Sequence, residues 1–168
     1  QAYSNFGYAL LGRVIERVSG MRYDEFVRER LLGPIGITRI ELARELRDDR
    51  PDDEAFYFPD PEDERLPNLF SAEHELVLPS DGGFFLAPMA AHGGFIASAS
   101  DYARFLVHVD GLPEPPDLLD AYELEAMLSP PQVASTDERP GFYADGWDVI
   151  PTERGTIWSH TGAKPGTT

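Results

Sequence analysis

Two short motifs near the ends of this 168-residue chain carry side chains that could move protons or hold a polar ligand. Tyr3-Ser4-Asn5 supplies a phenol, a hydroxyl and a carboxamide, and His160-Thr161-Gly162 supplies an imidazole and a hydroxyl. The small residues Gly162, Ala163 and Gly166 would let a ligand or another backbone approach closely. Taken alone, the first motif is more simply interpreted as a helix N-cap beside a buried tyrosine.

Other kinds of catalytic machinery are missing from the sequence. It has no Gly-x-Ser-x-Gly elbow, no phosphate-binding loop ending in Lys-Ser or Lys-Thr, and no His-Glu-x-x-His. The absence of cysteine excludes thiolate chemistry and Cys-ligated zinc. The histidines show no ligand spacing, so we expect no metal and no cofactor. We interpret His108 as a surface or packing residue and His92 as structural.

The charge balance limits the partners. Aspartate and glutamate number 30 against 14 lysines and arginines, which gives a net charge of -16. Such a surface repels polyanions, so we expect no nucleic-acid partner. No apolar run approaches the roughly 18 residues that span a bilayer, so we expect no membrane insertion. The first residues lack the features of a signal peptide, and the compartment stays open.

The first part of the chain has helical periodicity. From Phe6 to Val18 an apolar face is predicted at helical spacing, with Ser4 or Asn5 as the N-cap and Gly20 as the C-cap. The residues predicted to be buried are Tyr8, Leu11, Val14, Ile15 and Val18. A second helix is predicted from Asp24 to Leu32, ended by Gly33-Pro34, so that the two helices form a hairpin.

An acidic segment follows. Nine of the seventeen residues from Asp48 to Glu64 are acidic and three are proline, a composition that favours an extended, solvated loop. The aromatic run Phe56-Tyr57-Phe58 is expected to anchor this loop on the body, because three adjacent exposed aromatic residues would be unusual. Anchoring is the simpler interpretation, and contact with a ligand is the alternative.

The rest of the chain changes from helices to strands. Helices are predicted from Asp101 to Val109, with Ser98 or Ser100 as the cap, and from about Leu119 to Leu128. Two strands, 141–150 and 155–160, are expected to form an antiparallel hairpin through residues 151–154. The predicted fold class is therefore α+β, a mostly helical portion with a short antiparallel hairpin and an incomplete sheet.

Four segments of the sequence resemble segments of a known family and occur in the same order. They are Tyr3–Gly20, Leu32–Ile37, Gly93–Phe105, and Gly146-Trp147 with Trp158–Gly162. Together they closely resemble the class C beta-lactamases and penicillin-binding-protein-like serine hydrolases, over about two thirds of the chain. The chain then divides into a helical hairpin at 1–40, an acidic insertion at 41–88 that the resemblance does not cover, helices at 89–130, and strands at 141–168.

The resemblance implies roles for the motif residues. Tyr3 would be the general base or proton relay, and Asn5 would hold the active-site lysine and the substrate oxygen. His160, Thr161 and Gly162 would line the opposite wall, where substrate lies along a strand edge. The backbone N–H of Ala163 would form part of an oxyanion hole.

The nucleophile of this family is not in the chain. These enzymes use a serine with a lysine three residues later, both on one face of a helix. The single lysine is Lys164, and the residue three before it is Thr161. Gly162 and Pro165 disfavour a helix there, so we reject this pair. Because both ends look cut, we expect the nucleophile upstream of Gln1 and this piece to be inactive alone.

One difference between this sequence and the family pattern bears on the substrate class. Beta-lactamases of this family usually carry lysine at the position of His160, and an ammonium attracts a drug carboxylate more reliably than an imidazole. The resemblance therefore favours an esterase or D-amino-acid peptidase acting on a small ester, amide or peptide. A noncatalytic module that binds a peptide or cell-wall fragment, and an unrelated acidic helical domain, remain as alternatives. Self-association through unpaired strand edges is also expected.

Overall fold

A computed structural model describes residues 3–58, 60, 62, 64–132, 140–164 and 166. Gln1, Pro165, Thr167 and Thr168, near the two ends of the chain, lie outside the described residues, as do Pro59, Pro61 and Asp63. By its contacts the chain divides into two compact units. The first combines Tyr3 with Ala99–Thr161, and the second combines Ser4–Ser98 with the residues after Thr161.

The second unit begins with the predicted helical hairpin. Ser4 caps α1 (Asn5–Ser19), because its Oγ accepts a hydrogen bond of 3.0 Å from the Gly7 N–H. Gly20 ends the helix in the left-handed conformation, with φ of 71°. Both predicted caps are confirmed.

The second helix lies where it was predicted but differs in type. A short α-helix, α2 (Tyr23–Phe26), continues as a π-helical segment, Val27–Leu32, and as a 3-10 turn, Gly33–Ile35. Proline is tolerated in this last turn because it occupies one of the first two positions, where its missing N–H leaves no hydrogen bond unmade.

A glycine sets the contact between α1 and its neighbours. Gly12 is the buried residue of α1, and a Cβ built on it would lie 2.6 Å from the Cβ of Ala91 and 3.6 Å from the Tyr23 ring. The Tyr23 N–H donates to Glu16 Oε1 at 3.1 Å, which joins α1 to the start of α2. The hairpin therefore depends on a close approach that only glycine permits.

The buried face of α1 was predicted incorrectly in part. Leu11, Val14 and Val18 are 55%, 49% and 82% exposed, although helical spacing placed them inward. The inward side is instead centred on Gly12, where the smallest side chain allows the neighbouring segments to come closest. Two faces of α1 carry apolar residues at helical spacing, and the close packing at Gly12 determines which of them is buried.

The segment from Glu41 to Ser98 has more structure than a loop. Its strands form two antiparallel pairs, β1 (Glu41–Leu42) with β4 (Phe95–Ile96) and β2 (Leu66–Pro67) with β3 (Leu76–Val77). Two 3-10 turns, Arg47–Asp49 and Ala87–Met89, complete it. The buried residues of this unit include Leu32, Ile37, Ile40 and Asn68.

The expectation of a solvated acidic loop needs two corrections. The side chains of Arg50 and Glu54 are only 10% and 6% exposed, so part of the acidic run is buried. The side chains of Phe56 and Phe58 are 74% and 81% exposed, and Phe56 lies under the Arg47 guanidinium at 5.5 Å, so only Tyr57 of the aromatic run packs inward. Burying an arginine and a glutamate is tolerated because they lie beside each other and because the arginine also pairs with Asp81.

The first unit contains the later helices. They are α3 (Ala99–Leu106) and α4 (Ala121–Met127), each close to its predicted position. Ser100 therefore lies inside α3 and does not cap it. Asp120 caps α4 by accepting from the Glu123 N–H at 2.8 Å, and the Glu123 carboxylate accepts from the Asp120 N–H at 3.0 Å.

The predicted hairpin is a three-stranded antiparallel sheet. Its strands are β5 (Phe142–Tyr143), β6 (Asp148–Thr152) and β7 (Gly155–Ser159), with β6 in the centre. The segment 141–150 was predicted as one strand, but Gly146, with φ of 88°, turns the chain between β5 and β6. The fold class is α+β, as predicted.

In and next to this sheet, one glycine and one proline occupy positions that suit their backbone properties. A Cβ on Gly141, whose φ is 84°, would lie 2.1 Å from the Val149 carbonyl oxygen, so the backbones could not approach. Pro151 extends β6 into the stretch predicted as a turn. It is tolerated because it pairs with Thr156 of β7 beyond the last residue that pairs with β5.

The close approach at Gly12 leads to a stability prediction. Gly12→Ala places a methyl group against Ala91, and overpacking of this kind costs roughly 1–3 kcal/mol, which outweighs the gain in helix propensity. Gly7→Ala is the matched control, since its Cβ would meet only the Ser4 side chain at 3.5 Å. Urea unfolding should show a lower free energy of unfolding for the first variant and an equal or higher one for the second. Equal destabilisation of both would contradict this packing.

Candidate functional site

Three aromatic side chains of the first unit form a cluster. The ring centroids of Tyr3 and Tyr143 are 5.9 Å apart, those of Tyr143 and His160 are 6.0 Å apart, and those of Tyr3 and His160 are 6.4 Å apart. His160 Nε2 and the Tyr143 hydroxyl are joined by a hydrogen bond of 3.0 Å. The phenol donates this bond when Nε2 carries no proton. Tyr3 and His160, which are far apart in sequence, thus lie close together, and Tyr143 contacts both of them.

The strand register explains why these side chains meet. Tyr143 of β5 and Ser159 of β7 both pair with Asp148 of the central strand β6. His160 directly follows Ser159, so it emerges at the end of the sheet where Tyr143 also lies. Tyr3 completes the cluster with an edge-to-face contact, an arrangement that aromatic rings prefer.

Tyr143 was not identified from the sequence. Its signal was an aromatic residue in a strand, which is more often a packing residue than a functional one. Only the pairing of β5 with β6 brings its hydroxyl to His160. Tyr3 and His160 remain accessible, since Tyr3 is 59% exposed and His160 is also exposed.

The remaining residues of the two motifs are all exposed. Thr161 is the last residue of the first unit. Asn5, Gly162 and Ala163 belong to the second unit, where Asn5 is the first residue of α1. A Cβ built on Gly162 would meet no atom within 4 Å, so there is open space beside this residue. Ser4 serves the backbone as a cap, as the sequence analysis predicted.

The second unit contains a cleft of about 780 Å³. Its apolar walls include Phe84, Leu86, Phe95 and Ile96, and its polar lining includes Arg50, Glu54, Tyr57 and Lys164. This volume lies within the range of roughly 300–1,000 Å³ that is usual for small-molecule sites. The acidic segment, which was predicted as a solvated loop with ligand contact as the alternative role of its aromatic run, supplies one side of this cleft.

Arg50 organises the polar side of the cleft. It pairs with Asp81 at 3.0 Å and lies 3.9 Å from Glu54, and its guanidinium also donates to the Ser80 carbonyl. Its guanidinium carbon lies 4.7 Å from the centroid of the Tyr57 ring, a cation–π distance. The Tyr57 hydroxyl donates to Glu54 Oε1 at 2.6 Å. Burial, together with this hydrogen bond, raises the pKa of the Tyr57 phenol to about 12.

Lys164 reaches the same cleft from the segment after His160-Thr161-Gly162. Its side chain is partly buried, and this burial lowers the pKa of its ammonium group. A Cβ built on Gly93 would lie 3.9 Å from Lys164 Cε, so the glycine leaves room for the lysine stem.

The other histidines are not part of this cluster. His108 Nδ1 lies 2.8 Å from the Pro116 carbonyl and His74 Nδ1 lies 3.1 Å from the Asn68 carbonyl. His92 is partly buried and its Nδ1 has no hydrogen-bond partner. Within the described ranges, no three histidine and carboxylate side chains are grouped as metal ligands. None of the described helices combines the length and apolar character needed to cross a bilayer.

The sequence model of one family, Beta-lactamase, matches residues 1–168 of the chain. The chain belongs to the Beta-lactamase family. Penicillin-binding protein 4* of Bacillus subtilis (strain 168) is 29% identical over 169 residues, which cover 98% of this chain and 35% of that protein. The resemblance inferred from the four sequence blocks is therefore confirmed at the level of the beta-lactamase and penicillin-binding-protein-like serine hydrolases.

Solved structures support the same fold. SurE in complex with D-Leu is 28% identical with a TM-score of 0.62, and the match covers 98% of this chain and 34% of that one. D-amino acid amidase from Ochrobactrum anthropi SV3, complexed with D-phenylalanine, is 19% identical with a TM-score of 0.62 over 99% of this chain and 45% of that one. The chain spans about a third to a half of the length of these relatives and solved structures.

The pKa of Tyr57 provides a test of the cleft. The folded-state pKa is raised from 10.0 to about 12, so the contribution of the neutral phenol to stability is complete below pH 10 and is lost as the pH rises through about 12. We expect the ultraviolet titration of the chain to contain one tyrosine midpoint near 12. This midpoint should be absent from Tyr57→Phe. The denatured chain, in which all seven tyrosines titrate near 10, is the control.

A titration in which Tyr57→Phe removes a phenol that ionises near pH 10 would contradict the burial of this side chain and its hydrogen bond to Glu54.

Proposed function

We propose that this chain is part of a serine acyl hydrolase that acts on a small ester or amide through an acyl-enzyme. The observation that carries the proposal is the contact of Tyr3 with His160 and Tyr143, in a chain that belongs to the Beta-lactamase family. The cluster brings exchangeable protons of a phenol and an imidazole to an accessible surface. Groups of this kind serve as general acids and bases in acyl transfer.

In this proposal Tyr3 moves the proton of the reaction. A phenol has a reference pKa near 10, so it acts as a base at neutral pH only when cations lie nearby. The family's active-site lysine would supply such a charge in the complete protein. His160, held by the Tyr143 hydroxyl at 3.0 Å, would orient the substrate beside Tyr3.

The other motif residues would bind the reacting group. The carboxamide of Asn5 can accept from the active-site lysine and donate to the substrate oxygen. The Ala163 N–H would contribute to an oxyanion hole, where one donor is typically worth about 3 kcal/mol of transition-state stabilisation. Thr161 would offer a hydroxyl, and Gly162, which has no side chain, would leave room for the substrate. These roles rest on the family resemblance.

The serine nucleophile and its lysine would be contributed by sequence outside this chain. The chain's single lysine follows Thr161 rather than serine by three residues, so a Ser-x-x-Lys tetrad does not occur within it. The chain alone should therefore form no acyl-enzyme. A gene whose upstream sequence encodes no Ser-x-x-Lys would remove the enzymatic proposal.

A D-amino acid ester or amide is the substrate class we favour. Histidine rather than lysine at position 160 removes a permanent positive charge that would attract the carboxylate of a penicillin. SurE, a relative at 28% identity, has been solved with D-Leu. Suitable test substrates are D-leucine p-nitroanilide, p-nitrophenyl acetate and a fluorescent penicillin.

Substitutions in the complete protein test the cluster. Tyr3→Phe should lower kcat by about 100-fold or more, because general acid–base groups contribute on this scale. Tyr143→Phe should lower kcat/KM by only about three- to tenfold, since it removes one neutral hydrogen bond to His160. Tyr122→Phe is the matched control, because it removes the same hydroxyl from a tyrosine that is 80% exposed on α4, and it should leave turnover unchanged.

Each outcome discriminates between functions. Covalent acylation by the penicillin or the ester supports the hydrolase. Saturable binding without acylation would instead indicate a noncatalytic module for peptides or cell-wall fragments. Equal rates for Tyr3→Phe and Tyr122→Phe would exclude the proposed role of Tyr3, and turnover by the 168-residue chain alone would exclude an external nucleophile.

We also propose that the isolated chain self-associates through β7. Of the described strands, only β6 pairs with β7, so one edge of Gly155–Ser159 carries backbone groups without strand partners. Residue Ile157, at the middle of this strand, is 52% exposed. Ile157→Lys, which adds a charge at the edge, should shift the chain toward the monomer in sedimentation equilibrium.

A further inference from the structure

The cleft of the second unit has a charge opposite to that of the chain. Its lining contains five cationic side chains, Arg28, Arg39, Arg44, Arg50 and Lys164, and three carboxylates, Glu41, Asp53 and Glu54. The chain as a whole carries a net charge of -16. The cleft is therefore a positive site on an acidic molecule, even when Asp81, which pairs with Arg50, is counted with it.

Most of these cations are already neutralised. Arg39 pairs with Asp53, Arg44 lies 3.6 Å from Glu41, and Arg50 pairs with Asp81. Arg28 is exposed, so solvent stabilises its charge. Each of these guanidinium groups is accounted for without a ligand.

Lys164 is different. It is partly buried, and no carboxylate of the described residues lies within ion-pair distance of it. Burial without a partner disfavours an ammonium, which is the physical reason that its pKa is lowered. An anion beside it would restore the lost stabilisation, so the ammonium has binding energy available for a ligand.

The walls of the cleft define the rest of the ligand. Phe84, which is 40% exposed, and Phe95 present aromatic surface to the same space that Lys164 reaches. Apolar walls together with a small number of polar groups are typical of sites for small organic molecules. A simple inorganic anion would leave this apolar surface in water.

We propose that this cleft binds a small carboxylate with an aromatic or branched apolar body, with the carboxylate on Lys164. The proposal concerns binding by the second unit alone, and it does not require the acyl-transfer chemistry proposed above. It can therefore be tested on the 168-residue chain, in which no turnover is expected.

The test uses phenylacetate and its neutral analogue phenylacetamide in isothermal titration calorimetry. Phenylacetate should bind the chain with millimolar affinity or better, and phenylacetamide should bind at least about tenfold more weakly, because it lacks the charge that pairs with an ammonium. Lys164→Met keeps the apolar stem and removes the charge. It should weaken phenylacetate binding by about tenfold or more and bring it to the level of the amide.

Arg154→Met is the matched control, since it removes an exposed cation from the turn between β6 and β7, in the first unit. This variant should bind phenylacetate as the original chain does. Lys164→Met should also unfold at the same temperature or higher, because it removes an unpaired, partly buried charge, and this result shows that weaker binding does not come from misfolding.

Three results would overturn the proposal. They are equal affinity of Lys164→Met and the original chain for phenylacetate, equal affinity of the original chain for the acid and the amide, and no heat of binding at millimolar phenylacetate. None of them bears on the proposed hydrolase, whose failure is detected by acylation of the complete protein.

Discussion

The candidate site depends on the register of the β6–β7 hairpin. Five residue pairs, from Asp148 with Ser159 to Thr152 with Gly155, hold β7 against the central strand, and β5 joins the other side of β6. Side chains alternate along a strand, so a slip of one residue would move His160 away from Tyr143. Gly141, directly before β5, permits the same arrangement, because a side chain there would collide with the Val149 carbonyl. The proton-carrying groups thus meet because the backbone pairs in this register.

In the second unit, charged side chains of the acidic segment are buried. Arg50 would be costly to desolvate alone, and the nearby carboxylates of Glu54 and Asp81 together with the Tyr57 ring compensate for that cost. The compensation is incomplete, since Arg50 Nε and Glu54 Oε2 are buried without hydrogen-bond partners. This network ties the acidic segment to Ser80 and Asp81 and forms the wall of the cleft that Lys164 enters. A composition that favours a solvated loop thereby contributes to a candidate binding site.

Glycine positions decide which surfaces are buried. At Gly12 the absence of a side chain draws α1 against Ala91 and Tyr23, and this contact leaves Leu11, Val14 and Val18 exposed. Hydrophobic periodicity predicted the helix correctly because the spacing of apolar residues follows the helical repeat. It did not predict the buried side, since α1 carries two apolar stripes and only the position of the neighbouring segments distinguishes them.

The sequence by itself determined the family, the caps of α1 and the two motifs, because these depend on residue types at short spacings. It also determined that Ser-x-x-Lys is not within the chain. Tertiary structure alone decided that Tyr143 joins Tyr3 and His160, since that contact requires the pairing of β5 with β6. It also decided that Arg50 and Lys164 reach one cleft, because residues more than a hundred positions apart meet only when the chain folds. Local spacing encodes elements and motifs, whereas long-range contacts depend on which backbone segments can approach each other.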